Sequence, residues 1–179
     1  ILKVKERGDS VGGIVECRID GLFPGIGETV FDKIDAVLSK AVMSIGAVKG
    51  FEIGEGFNSV NLHGSEYNDP FFAGENQRIE KKTNHSGGTL GGMSDGAPLI
   101  FRAAIKPTPS ISIQQETVNK NGENTVISIK GRHDPVIVPR AVVVVESMAA
   151  IAVMDLLISD MSSRMDYISS FSEMRKNEL

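Results

Sequence analysis

The segment 140–159 is apolar on nearly every side, and this property limits the folds that are open to the chain. Pro139 stands at a position suited to the first turn of a helix. The β-branched run 142–145 by itself favours a strand, but the length of the segment and the residues 148–152 favour a helix. We therefore predict a buried helix. Its polar interruptions are Arg140, Glu146, Ser147 and Asp155.

The same region bears on whether the chain crosses a membrane. Its longest wholly apolar run, 148–154, is well short of the roughly 20 residues that span a bilayer, so we expect a soluble protein. A single cysteine, Cys17, cannot form an internal disulfide, and no Cys/His framework for a metal is present. We therefore expect a reducing, cytoplasmic compartment and no metal site.

Other segments show clear periodicities. Residues alternate between apolar and polar in 14–20 and again in 99–105, which predicts two strands with one buried face each. A helical spacing over 29–45 predicts an amphipathic helix that Thr29 would cap and that Gly46 would end in a left-handed conformation. The pair Asn121-Gly122 predicts a β-hairpin. With a short strand at 50–53, the fold class is α+β with partly antiparallel sheets.

Two segments lack such patterns. Residues 54–88 are rich in Gly, Asn, Ser, Asp and Glu, and a connection of this length is either functional or mobile, so we predict a mobile loop. Its histidines, His63 and His85, are expected to be solvated. Beyond Ser159 the chain becomes polar, and we predict that 160–179 is a tail or a weakly held helix.

The charge and the first residues also exclude some classes. The formal net charge of −4 leaves no basic field for generic nucleic-acid binding. The chain begins at Ile1, and charged residues follow soon after it. Because no apolar stretch of the kind found in signal peptides is present there, we expect no secretory signal. This beginning is typical of a piece of a longer protein.

Four segments have more polar groups and glycine than packing requires. One is 44–50 at the end of the predicted helix, where Gly46 as a helix stop needs no ligand. Residues 83–96 contain five glycines among hydroxyl and amide side chains, so this backbone could approach a phosphate or a ring edge, or it could be a flexible loop. Residues 106–110 place a cation and two hydroxyls beside prolines, which suits a phosphate but also suits a solvent-facing turn. In 131–135, Arg132 and Asp134 would share one face, either as a functional pair or as a surface ion pair.

These segments together resemble the C-terminal half of chorismate synthase over essentially the whole chain. The resemblance begins with Gly8-Asp9-Ser10-Val11-Gly12-Gly13 and Phe31-Asp32-Lys33. It continues through 44–50, Thr83-Asn84, Ser86-Gly87-Gly88, Gly91-Gly92 and Lys106-Pro107-Thr108. It ends with Gly131-Arg132-His133-Asp134-Pro135, which leads into Pro139-Arg140-Ala141.

The resemblance implies an activity and a cofactor. Enzymes of this family eliminate phosphate and a ring proton from 5-enolpyruvylshikimate 3-phosphate to give chorismate, and they need reduced FMN although no net oxidation occurs. Asp134 matches an acidic residue thought to help a proton move near the flavin. The positions that match flavin contacts are Gly46, Ala47, Gly91, Lys106, Pro107, Thr108, Pro109, Ser110 and Arg132.

The resemblance also implies an architecture. Helices would be sandwiched between antiparallel sheets, and the enzyme would be a homotetramer. Pro109 often corresponds to Ser in the family, which affects one flavin contact, and Val136 often corresponds to Cys. The family's N-terminal half, with two catalytic histidines, has no counterpart here, so the chain alone would be incomplete. A non-catalytic module that binds flavin or phosphate and a purely structural α+β domain remain alternatives. Reduction of the flavin by NADPH or by a partner stays open.

Overall fold

The computed structural model describes residues 1–75, 79–131, 133–163 and 165–177. Five α-helices and one 3-10 helix lie within these residues. The α-helices are α1 (Leu2–Glu6), α2 (Ile34–Met43), α3 (Gly64–Tyr67), α4 (Val138–Ser163) and α5 (Met165–Asn177), and the 3-10 helix is Gly56–Asn61. The strands are β1 (Gly13–Ile19), β2 (Val48–Ile53), β3 (Phe71–Ala73), β4 (Ile79–Lys81), β5 (Thr89–Leu90), β6 (Met93–Ser94), β7 (Leu99–Ile105), β8 (Gln115–Val118) and β9 (Asn124–Ile127).

The central sheet is antiparallel and has the order β1-β7-β2. Both predicted alternations form strands of this sheet, and they pair directly, with Cys17 opposite Phe101. Every second side chain of β7 is buried, and helices α2 and α4 pack on that side, α2 against β2 and α4 against β1. The buried core side chains of β7 are Leu99, Phe101, Ala103 and Ile105.

Helix α4 confirms the prediction of a helix, with Pro139 in its first turn. Only one side of it is buried, along Val145, Ala149 and Leu156, whereas Ile151 on the other side is 62% exposed. An 18-residue window of α4 has a mean hydropathy of 2.3, so among the described helices α4 is long and apolar enough to cross a membrane. Core helices of soluble proteins pass the same test of length and composition.

Helix α2 begins later than its periodicity predicts. The prediction that Thr29 caps it is wrong, because 28–32 folds into a turn in which the Glu28 N–H donates to the Asp32 carbonyl at 3.0 Å. Helix α2 starts at Ile34, whose N–H donates to Gly92 at 2.8 Å. The prediction of a left-handed Gly46 is also wrong, because the residue with positive φ after this helix is Ala47, at 73°.

Three two-stranded antiparallel hairpins complete the fold, formed by β3-β4, β5-β6 and β8-β9. The β8-β9 hairpin confirms the prediction from Asn121-Gly122, with Gly122 at a φ of 82°. Within 54–88 the described residues contain helices and strands although no period marks them, and mobility of this segment stays a prediction. Residues 165–177 form α5, whose side chains described up to residue 175 are exposed. The fold class is therefore α+β, as predicted.

Candidate functional site

Candidate functional residues lie at both ends of β7. At its C-terminal end, Ala47, Lys106, Thr108, Ser110 and Asp134 form a group that we call the strand-end cluster. At the N-terminal end of β7 a set of buried charged and polar side chains forms a second group, described below as the buried ion network. The sequence predicted the first group, and of the second it singled out only the part that lies in 83–96.

A backbone hydrogen bond joins two of the predicted flavin-binding segments. The Lys106 N–H donates to the Ala47 carbonyl at 2.9 Å, just past the point where β7 and β2 pair. Ala47 is the one described residue other than glycine with positive φ, a conformation that costs an L-residue about 1–2 kcal/mol. A Cβ added at Gly46 would meet open space. The loop thus exposes its backbone beside Lys106.

The segment 8–13 ties the other parts of the strand-end cluster together. The Ser10 hydroxyl donates to the Thr108 carbonyl at 2.6 Å, and the Val11 N–H donates to the Pro135 carbonyl at 2.9 Å. Gly12 has to be glycine here because a Cβ would clash with the Ile105 carbonyl oxygen. Close packing of this backbone therefore brings 106–110 and 133–135 next to each other, although more than twenty residues separate them in sequence.

A cleft of about 210 Å³ is lined by Ser110 and Asp134 of the strand-end cluster and also by Ser10 and His133. Two side-chain atoms of these segments are buried and make no hydrogen bond among the described residues: His133 Nε2, on a lining residue, and Thr108 Oγ1. A buried polar atom without a partner costs about 1–3 kcal/mol. A ligand that supplied the missing partners would recover this free energy.

Asp134 borders the cleft and forms an ion pair. Its Oδ2 lies 2.7 Å from Arg140 Nη1 in the first turn of α4, and its side chain is 40% exposed. The Arg140 side chain is 78% exposed, so this pair lies at the surface and leaves the carboxylate accessible. Arg132, predicted to bind flavin, lies outside the described residues.

The structure places Gly91 far from this cluster. Gly91 lies in the turn between β5 and β6 with a φ of 61°, and the next residue, Gly92, accepts the hydrogen bond from Ile34 at the start of α2. Ala47 follows the other end of α2. Ten helical residues extend about 15 Å, so roughly this distance separates Gly91 from the cluster.

The buried ion network lies near Gly91, at the N-terminal end of β7. Lys81 Nζ lies 3.1 Å from Asp69 Oδ2 and 2.7 Å from Asp95 Oδ2, and all three side chains are at most 6% exposed. The ammonium group also donates to the Ser86 hydroxyl at 2.7 Å and to Asn84 Oδ1 at 3.3 Å. Buried charges need such complete pairing.

Asp69 holds the start of the glycine-rich segment. Its carboxylate accepts hydrogen bonds from the Thr83 hydroxyl, from the backbone N–H groups of His85 and Ser86, and from the Ser86 hydroxyl, at 2.7 to 3.0 Å. Burial by itself raises the pKa of the Asp69 carboxyl. The hydrogen bonds outweigh it and hold this pKa well below its usual range.

Sequence patterns pointed to only part of this network. The candidate segment 83–96 contains Asn84, Ser86 and Asp95, but nothing singled out Lys81, in the three-residue strand β4, or Asp69. The one signal for Asp69 was Asp69-Pro70, because an aspartate before proline commonly starts a turn. The prediction that both histidines of this segment are solvated is right for His63, which is 87% exposed, and wrong for His85, which is 25% exposed and bonded to Asp69.

Neither the single cysteine nor a metal centre offers a further candidate site among the described residues. Burial raises the pKa of the Cys17 thiol, and Glu146 raises it further, which disfavours the reactive thiolate. The described residues contain no group of three or more His, Cys, Asp and Glu side chains that could hold a metal ion.

The fold is that of an α+β protein, and its strand-end cluster brings separate polar and glycine-containing segments together beside a cleft. The chorismate synthase family model matches residues 1–158. The chain is therefore a member of the chorismate synthase family.

Relatives named chorismate synthase support this assignment. The chain is 66% identical over 160 residues to the protein of Lachnoclostridium phytofermentans, with 89% of this chain and 44% of the relative covered. It is 56% identical over 160 residues to that of Methanococcus vannielii, with 89% of this chain and 42% of the relative covered. A crystal structure of chorismate synthase matches with a TM-score of 0.73 and 32% identity, covering 98% of this chain and 46% of that one. The chain thus spans less than half the length of these relatives.

Proposed function

We propose that this chain contributes the flavin-binding part of a chorismate synthase, with 5-enolpyruvylshikimate 3-phosphate as substrate and chorismate as product. The proposal rests on the family match over residues 1–158 together with the strand-end cluster, which joins three of the predicted segments. The buried His133 Nε2 without a partner, on a residue that lines the cleft, supports a bound ligand over a purely structural domain.

The strand-end cluster fits a flavin that carries a phosphate. Thr108 Oγ1 is a buried hydroxyl without a partner, and Lys106 supplies a cation in the same segment. Lys106, Thr108 and Ser110 would hold the cofactor, with Ala47 and the predicted Gly46, Pro107 and Pro109 contributing backbone contacts. Gly91 and Arg132 remain predicted contacts. Reduced FMN, when bound, supplies an electron-rich ring that favours departure of the phosphate.

Asp134 is the residue that we expect to move a proton. Its carboxylate lies 2.7 Å from the exposed Arg140 guanidinium, and Asp134 lines the cleft. An accessible carboxylate can accept a proton from a bound ligand or return one to it. Lys106 would stabilise the negative charge that develops on the leaving phosphate.

The exposed side of α4 supports the finer architecture. Val143, Ile151 and Met154 are between 58% and 62% exposed, so a second layer that covers them would complete the predicted sandwich. We propose that this layer comes from the portion of the relatives that the chain does not match. Assembly as a homotetramer and a location in the cytoplasm belong to the same proposal.

The experiment that tests this function uses a chimera in which this chain replaces the matching portion of the Lachnoclostridium phytofermentans protein. The chimera is incubated without oxygen with reduced FMN and 5-enolpyruvylshikimate 3-phosphate, and chorismate is followed by its absorbance. We expect product only when reduced flavin is present. A folded chimera that binds flavin but forms no product would favour the non-catalytic module.

A titration of the chain alone with reduced FMN tests its share of the site. Lys106→Ala is compared with Lys120→Ala, which removes an exposed lysine from the turn of the β8-β9 hairpin. We expect weaker binding only for Lys106→Ala. Equal affinity for both variants would place the flavin elsewhere.

A further inference from the structure

A second candidate acid/base position lies outside the strand-end cluster, at His85. Its Nδ1 is 3.1 Å from the Tyr67 carbonyl oxygen and 3.2 Å from Asp69 Oδ1. Both neighbours accept hydrogen bonds and neither can donate one while Asp69 is ionised, so Nδ1 has to carry a proton. In the neutral ring, the free lone pair is therefore on Nε2.

The position of the ring is fixed from several sides. The His85 N–H donates to Asp69 Oδ1 at 2.7 Å, and the His85 carbonyl accepts the Glu55 N–H at 2.8 Å. The ring stacks on Tyr67 with 6.1 Å between the ring centres. The side chain is 25% exposed, and Nε2 makes no hydrogen bond to any described residue. The lone pair is thus held in place and left accessible.

The charges nearby suit proton transfer at this nitrogen. A proton taken up by Nε2 would make the ring positive, and the Asp69 carboxylate beside Nδ1 would stabilise that charge. Lys81 pairs with both Asp69 and Asp95 in the buried ion network, so Asp69 stays anchored during this change. His63 differs, because its side chain is 87% exposed and its carboxylate partner, Glu66, is 58% exposed.

We propose that His85 accepts a proton at Nε2 from a hydroxyl or N–H group of a ligand at the glycine-rich segment, and that Asp69 is its positioning residue. The proton leaves the ligand oxygen or nitrogen, whose electron pair stays on the ligand, and it forms the N–H bond at Nε2. Asp69 does not touch the ligand. The part of the proposal that concerns turnover rests on the proposed function.

The first test does not depend on turnover. Long-range ¹H–¹⁵N NMR of the chain distinguishes the two neutral tautomers of each histidine, and His63→Asn and His133→Asn assign the signals. We expect His85 to carry its proton on Nδ1, and Asp69→Asn to reduce this preference while the His63 signals stay unchanged. A ring with its proton on Nε2 would overturn the proposal.

The second test uses turnover by the chimera. His85→Asn keeps a donor at the place of Nδ1 and removes the acceptor at Nε2, so a merely structural role would survive this change. We expect a loss of about 100-fold to 10,000-fold in kcat, with unchanged turnover in His63→Asn. Full turnover of His85→Asn would overturn the acid/base role. An inactive parent chimera would contradict the proposed function instead, and the tautomer measurement would still decide the role of Asp69.

Discussion

The polar residues at the two ends of β7 differ in their burial and in whether they have partners within the chain. In the buried ion network, Lys81 and its two carboxylates are at most 6% exposed and all have partners. In the strand-end cluster, Asp134 is 40% exposed and Thr108 Oγ1 is buried without a partner. The difference teaches that the first group satisfies its polar atoms within the chain, whereas the second leaves polar atoms for which we propose a ligand as the partner.

The strongest way to break this comparison is to remove the buried cation. Lys81→Met leaves Asp69 and Asp95 as buried carboxylates without their ion-pair partner, and breaking a buried pair costs about 3–5 kcal/mol. We expect this loss in the free energy of unfolding measured with urea. Lys82→Met, at the exposed neighbouring position, is the matched control. Equal stability of the two variants would mean that the network does not hold the fold.

Asp134→Asn tests the opposite property at the strand-end cluster. The amide keeps the shape of the side chain but cannot take up the proton, so we expect kcat of the chimera to fall by about 100-fold to 10,000-fold. The free energy of unfolding should stay close to that of the parent because Asp134 is partly exposed. A loss of stability without a loss of turnover would reverse the comparison.

Lys106→Ala tests whether the strand-end cluster serves ligand binding and not stability. A charge-assisted hydrogen bond to a ligand phosphate contributes about 1.5–3 kcal/mol, which corresponds to roughly 10-fold to 150-fold in Kd. We expect this weakening for reduced FMN in a fluorescence or absorbance titration, with little change in urea unfolding. Stronger destabilisation than loss of affinity would show that Lys106 serves the fold.

Lowering the pH should reduce the free energy of unfolding of the parent more than that of Asp69→Asn. The pKa of folded Asp69 lies below its unfolded value of about 3.9, so this carboxylate stabilises the fold above about pH 4. Its contribution is lost as the pH falls below 4 towards the folded pKa. Urea unfolding between pH 3 and pH 6 should therefore show the difference between the parent and Asp69→Asn shrinking at low pH. A constant difference would argue against an ionised Asp69.

The smallest effect is expected outside both groups. Arg18 and Asp20 form an ion pair at 2.9 Å near the end of β1, with both side chains about 60% exposed. Water and salt screen such a pair. Arg18→Ala should leave thermal unfolding unchanged, and a large shift in Tm would show that exposure does not separate the ion pairs of this chain.

Much of the fold follows from local patterns. The alternation in 99–105 has the bounds of β7, and the pair Asn121-Gly122 lies in the turn between β8 and β9. The start of α2 did not follow, because the contact between Ile34 and Gly92 joins residues far apart in sequence. Helical spacing reports which residues share a face, and it does not report where a turn from another segment replaces the first helical hydrogen bonds.

In the candidate sites, too, local patterns predicted some features and contacts between distant residues decided the others. By itself the sequence determined the fold class, the main strands and the segments 106–110 and 131–135 as places with polar residues. Only the tertiary structure decided that Ala47 meets Lys106, that Gly91 lies at the other end of the sheet, and that Lys81 is buried between two carboxylates. The physical reason is that periodicity and turn chemistry act between neighbouring residues, whereas burial and ion pairing depend on contacts that form when distant segments pack together.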